Sequence, residues 1–141
     1  MPAAENKALI AQIYAAMGKG EIQPLLDHLC DDVEWTHQID PQIARFGGTH
    51  KGIAAVEKNF REMNAVMPPV LMEGLEMTAE GDRVHVLCRI ARTRPDATTV
   101  SSRSSHHFSF RDGKIARFLE ILDTAEVMHQ IQDSGLEGAS I

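Results

Sequence analysis

The strongest constraint on this chain is a change of hydrophobic period at Pro68-Pro69. Before it, Ile53, Val56, Phe60, Met63 and Met67 recur every three or four residues, the spacing of one helix face. The two prolines end that helix because neither has an N–H to continue its ladder. After them, apolar residues alternate with polar ones, the period of a strand with one buried face. Glu80-Gly81-Asp82, Arg94-Pro95-Asp96 and Arg111-Asp112-Gly113 break the alternation with turn-forming residues. They divide it into strands over 70–79, 83–93, 98–110 and 114–122, an antiparallel meander whose apolar face needs helices to cover it.

The residues upstream supply those helices. Leu9, Ile10, Ile13, Tyr14 and Met17 form one helical stripe, stopped by Gly18-Lys19-Gly20. Ile22, Leu25, Leu26 and Leu29 form a second, with Pro24 in its first turn, where a missing N–H does little harm. Val33 to Ile39 alternates and reads as a strand, opening into a loop over 40–48, with Gly47, Gly48 and Gly52 at tight turns. At the far end, Asp123 followed by Glu126 three residues on is a capping box, starting a short helix that ends near Ile131. The expected architecture is α+β: three N-terminal helices on a curved, mainly antiparallel sheet, then a short C-terminal helix. Residues 1–131 read as one domain and 132–141 as a polar tail expected to fray.

Composition narrows the partners. The 141 residues carry 14 Lys and Arg against 20 Asp and Glu, a net charge of −6 that repels nucleic-acid phosphate and anionic membranes. No apolar run approaches the roughly 18 residues of a membrane span, and the opening seven residues lack the pattern of an export signal, so a cytoplasmic protein is expected. Cys30 and Cys88 are too few for a disulfide scaffold or a thiolate zinc site, and they read as core thiols. Nothing resembles His-Glu-x-x-His, a phosphate-cradling glycine loop or a nucleophile elbow, so no metal and no cofactor is expected. Arginines across the strand region suit a charged outer sheet face, and the methionines, Met63, Met67, Met72 and Met77 among them, suit core packing before an adaptable cavity.

Several segments resemble one superfamily. They are Ile13-Tyr14-Ala15-Ala16-Met17 with Gly20-Glu21-Ile22, then Cys30-Asp31-Asp32-Val33-Glu34-Trp35, then Phe46-Gly47-Gly48-Thr49-His50-Lys51-Gly52. The stretches from His107 to Ile115 and from Phe118 to Asp123 complete the set. Their order resembles the cone-shaped ketosteroid isomerase and nuclear-transport-factor-like fold, and the closing hairpin resembles the SnoaL-like polyketide cyclases. The resemblance implies a pocket between helices and sheet, a small apolar or polyketide-like ligand, and a homodimer formed through the sheet. It covers isomerases, dehydratases, cyclases, epoxide hydrolases and non-catalytic binding proteins, so activity must come from the pocket residues.

Tyr14 falls where the isomerases hold an oxyanion-stabilising phenol; packing alone makes it a core aromatic bonded to a nearby carbonyl. His37 falls where they hold a catalytic carboxylate, and neutral imidazole can take that base role; the alternative is a structural histidine. Trp35 shares its face and offers an apolar wall. His106 shares parity with Val100, Phe108 and Phe110 and so faces the core, in the place of the isomerases' protonated acid, while His107 points to the polar side. Glu120 lies between Phe118 and Leu122 on one face, which implies a buried carboxyl with a raised pKa, able to act as acid or base or, as in limonene epoxide hydrolases, to activate water. Its alternative is a surface pair with Arg117 or Arg103. Asp123 matches the acidic residue closing this strand in SnoaL-like cyclases and is also a helix cap. Phe60, Phe108, Phe118 and Leu122 complete the expected apolar lining, with Trp35. The expected chemistry is proton transfer on an apolar carbonyl compound, with epoxide hydrolysis or ligand binding as alternatives.

Overall fold

The computed structural model describes residues 2–138. Helix α1 (Pro2–Met17) is followed by the short α2 (Gln23–Leu26), strand β1 (Leu29–His37), strand β2 (Gly48–Lys51) and helix α3 (Ile53–Val66). The meander β3 (Pro69–Glu80), β4 (Arg83–Thr93), β5 (Thr99–Arg111) and β6 (Lys114–Leu122) comes next, and α4 (Thr124–Ile131) closes the chain. One six-stranded sheet runs in the order β2-β1-β6-β5-β4-β3. Every neighbouring pair is antiparallel except β1 with β6, which is parallel. Register shifts in the β3–β4, β5–β6 and β1–β6 pairs bend the sheet, as a bulge does by adding a residue to one side.

The meander follows the turns foreseen at the three punctuating triplets. The helices cover one face: α1 lies over β3 and β4, α3 over β1 and β2, and α4 meets β5. In α1 the buried positions are Asn6, Ile10, Ile13, Tyr14 and Met17, one helical stripe packed into a core that includes Val84, Val86 and Phe108. At about 25 cal/mol per Å² of apolar area removed from water, each large apolar side chain of the stripe, such as Ile10, Ile13 or Met17, contributes about 1.5–3 kcal/mol. Gly52 begins α3 at φ 86, a left-handed conformation that glycine adopts without strain.

Four local expectations change. Helix α1 begins at Pro2, seven residues before the first residue of its foreseen stripe, because Asn6 continues that stripe one turn earlier. Leu29 belongs to β1 and pairs with Ile115, which shortens α2 and starts β1 four residues early. Gly48–Lys51, read as turns, is a strand paired with Glu34–His37. Gly47 permits this close fold-back, since a Cβ there would lie 2.2 Å from the Ile39 carbonyl oxygen. Residues 132–138, expected to fray, pack against the loop over 40–48: Leu136 is 4% exposed, its carbonyl accepts from Arg45 N at 2.8 Å, and Glu137 bridges Ala44. The last residues of that tail, 139–141, lie outside the described ones. Among the described residues no helix is long and apolar enough to cross a membrane.

Candidate active site

Strand β6 is the spine of the site because its neighbours place a histidine on each side of Glu120. In the parallel pair with β1, Glu120 is the register partner of His37; in the antiparallel pair with β5 it is the partner of His106. Strands lie about 4.8 Å apart, so two such flanking side chains on the same face converge on one carboxylate. All three are buried, at 5% exposure for His37 and Glu120 and 1% for His106.

Glu120 Oε1 accepts from His37 Nδ1–H at 2.6 Å. Oε2 accepts from His106 Nε2–H at 2.8 Å and from the Ser104 hydroxyl at 2.8 Å. The Tyr14 hydroxyl in turn donates to His106 Nδ1 at 2.5 Å. Burial pushes the Glu120 carboxyl up, but hydrogen bonds from His106 and His37 and the favourable electrostatics of those two rings outweigh it, and the group lies well below the ordinary carboxylate range. This corrects the raised pKa expected from Phe118 and Leu122. Those neighbours along the strand are apolar, whereas the neighbours across it are three donors. The foreseen surface pairing is also absent: Arg117 approaches Glu34 instead, at 3.8 Å.

An ionised carboxylate only accepts, so the proton positions along the chain follow. His37 carries a proton on Nδ1, and the neutral ring then keeps its lone pair on Nε2. His106 carries its proton on Nε2, and Nδ1 receives the tyrosine. Burial pushes the Tyr14 phenol well above its ordinary value, with Cys88 and Glu120 adding to the effect. Burial likewise pushes the Cys88 thiol up to about 12. The result is a relay whose donors converge on Glu120, Tyr14 through His106 from one side and His37 from the other, with the carboxylate's negative charge at its centre. Its one loose end is His37 Nε2, buried and without a hydrogen-bond partner among the described residues.

His37, His106 and Glu120 all line one cavity of about 90 Å³. A single water needs roughly 10–15 Å³ in that measure, so the space suits a compact molecule. Trp35, Phe60, Phe118 and Leu122 form its apolar walls as expected. Phe108 does not: it stands behind the wall, 5.0 Å from the Phe118 ring. Tyr14 also lies outside the lining, with its hydroxyl spent on His106, and His106 has both nitrogens engaged, so neither points a free donor at a ligand. Asp123 is exposed, absent from the lining, and accepts from Glu126 N at 3.2 Å as the cap of α4.

Other residues line the cavity besides the expected ones. Met17, Met63, Met67 and Met72 line the cavity, whereas Met77 does not, so four methionines act as cavity wall as well as core. Trp35 Nε1–H, in the same wall, is buried with no acceptor among the described residues. Ser104 shares the inward parity of His106 and could have been read from it. Arg92, Asn64 and Leu136 also reach the cavity. Arg92 had a sequence signal as an arginine on an inner strand, but nothing in the sequence placed it beside the end of α3.

The SnoaL-like domain model matches residues 10–118, more than half of the chain and most of this architecture. The chain belongs to the SnoaL-like domain family. Among solved structures, the SnoaL-like domain is similar to TerC, co-crystallised with polyporic acid, at 28% identity and TM-score 0.80, covering 92% of this chain and 99% of that one. An NTF2-like protein of unknown function from Burkholderia pseudomallei K96243 shares 25% identity at TM-score 0.77, covering 89% and 95%. A protein from Jannaschia sp. CCS1 named for the SnoaL-like polyketide cyclases has the same fold at 15% identity and TM-score 0.73, covering 89% and 90%. No curated protein matches the chain.

Proposed function

We propose that this SnoaL-like domain is an enzyme that moves protons on a small, mostly apolar carbonyl compound, as an isomerase, cyclase or dehydratase does, with His37 as its base. The observation that carries this reading is the buried, unpartnered Nε2 of His37, on a ring whose other nitrogen is held by an ionised glutamate. A carboxylate in that position fixes the tautomer and stabilises the imidazolium that forms when Nε2 takes a proton from carbon. Glu120 is then a positioning residue. Tyr14 and His106 act behind it, holding the carboxylate by one further donor and setting the direction of every proton. The Trp35 N–H is the donor best suited to the oxygen that gains charge when a carbon beside a carbonyl loses its proton.

The same geometry disfavours water activation by Glu120, whose two oxygens already accept three hydrogen bonds. Likeness to a protein co-crystallised with polyporic acid supports a small organic molecule as ligand. The test is deuterium incorporation beside the carbonyl of 2-tetralone in heavy water, followed by proton magnetic resonance. Wild type should accelerate exchange, and His37→Gln, checked for folding by circular dichroism, should lose about 10²- to 10⁴-fold of that acceleration. Equal rates in the two proteins overturn the assignment.

A further inference from the structure

The relay occupies one end of the cavity, and the other end holds a cation with no anion in contact. Arg92 is the register partner of Val100, six residues along β5 from His106, roughly 20 Å at about 3.3 Å per residue. It lines the cavity together with Asn64 and Ser102. Its Nη1 donates to Asn64 Oδ1 at 3.0 Å and to the Met67 carbonyl at 2.8 Å, tying the guanidinium to the end of α3. Those two bonds use both protons of Nη1. The opposite edge, Nε–H and Nη2–H, has no acceptor among the described residues, and no carboxylate there lies within salt-bridge distance.

That edge is the planar fork that takes a carboxylate by two parallel hydrogen bonds. Arg92 is half-buried, so its free edge is partly desolvated beside the apolar walls and gains from an anion, while capping α3 requires only Nη1. We propose that Arg92 is the anchor of a carboxylate-binding subsite, so that the ligand is an apolar molecule bearing a carboxylate at the end remote from the carbon that His37 deprotonates. The methionines Met67 and Met72, with Ile90 and Leu122, line the cavity between and suit an apolar body. Asn64 and Ser102 add side-chain donors beside the fork. Burial draws the Arg92 guanidinium down from its ordinary value and the charge of Glu120 opposes this, which is the electrostatic signature of a cation inside the same enclosure as the relay. Glu120 cannot serve as its partner, because its oxygens are committed to His37, His106 and Ser104.

The inference rests on the reading that the cavity takes a small ligand, and it has its own test. The probes are 4-phenylbutanoate and its neutral analogue 4-phenylbutanamide, titrated into the full chain by isothermal calorimetry at neutral pH. Wild type should bind the acid at least about tenfold more tightly than the amide, in keeping with two charge-assisted hydrogen bonds. Arg92→Gln should bring that ratio close to one, and Arg92→Lys, which keeps the charge and loses the fork, should fall between. His37→Gln should retain the preference. Equal affinity of wild type for acid and amide, no binding of the acid at millimolar concentration, or a preference that survives in folded Arg92→Gln overturns the subsite. A wild type that prefers the acid but fails to accelerate deuterium exchange keeps the subsite and removes the proton-transfer reading, so the two fail separately.

Discussion

Replacing Glu120 with glutamine removes one charge and reverses the logic of four side chains. The carboxylate accepts from His37, His106 and Ser104; a glutamine offers one acceptor oxygen and an NH₂ that meets a donor wherever it turns. If the oxygen stays with His37, the NH₂ faces His106 Nε2–H, and that ring must move its proton to Nδ1, where Tyr14 already donates. At least one buried donor is left without an acceptor, at about 1–3 kcal/mol, and hydrogen bonds to a charged group, each worth about 1.5–3 kcal/mol, become neutral ones. Together these place the loss at about 3–5 kcal/mol, the usual range for removing one member of a buried ionic group. For a domain of this size that lowers the melting temperature by roughly 10 °C or more. Urea unfolding at neutral pH, followed through the fluorescence of the chain's single tryptophan, measures it. A double-mutant cycle with His37→Gln should give a coupling of about 1–3 kcal/mol. A folded Glu120→Gln within about 1 kcal/mol of wild type, or a coupling near zero, would refute the relay.

Three further outcomes follow from the same geometry. Glu120 holds its proton more weakly in the folded than in the unfolded chain, so its contribution is complete above the ordinary value of 4.5 and is lost as pH falls from there toward its depressed value; urea midpoints measured from about pH 6 downward should decline, and less steeply in Glu120→Gln. Tyr14 has the opposite sign: its phenol holds the proton more tightly when folded, so its contribution is present below about pH 10 and fades above it. As the chain's one tyrosine, it should show phenolate absorbance only together with alkaline unfolding, and a separate ionisation of the native protein would contradict its place in the relay. Asp123→Asn should leave stability and deuterium exchange unchanged, while Asp123→Ala should lose about 1 kcal/mol with exchange intact; loss of exchange in either folded variant would return Asp123 to the site.

Much of the architecture was legible because its signals are local. Pro68-Pro69 and three turn triplets mark the meander almost to the residue, and parity alone turns His106 inward and His107 outward. Strand β2 was not legible, since four residues flanked by glycines look like a turn until β1 supplies their partner. Many residues that line the cavity were readable, and their relations were not. Phe118 and Leu122, neighbours of Glu120 along the chain, argue for a neutral acid, whereas His37, 83 positions away, argues for an ionised one and is nearer in space. Tyr14 was placed on the right helix face, but its hydroxyl answers to a histidine 92 positions on. Arg92 was one arginine among many until the end of α3 singled it out.

The parallel pairing of the first strand with the last carries a consequence for synthesis. β1 has its long edge unsatisfied from the time it leaves the ribosome until β6 follows, because only β6 can occupy the side opposite β2. Contacts so distant in the chain form late and slowly, and an unpaired edge in the meantime is open to other chains. Asp31 and Asp32 on that strand are exposed in the finished fold and Glu34 is partly so. Their charges repel a second copy of the same edge during the wait, the role of gatekeepers in nascent chains. The cavity, whose His37 and Glu120 sit on those two strands, is therefore among the last parts of the protein to exist.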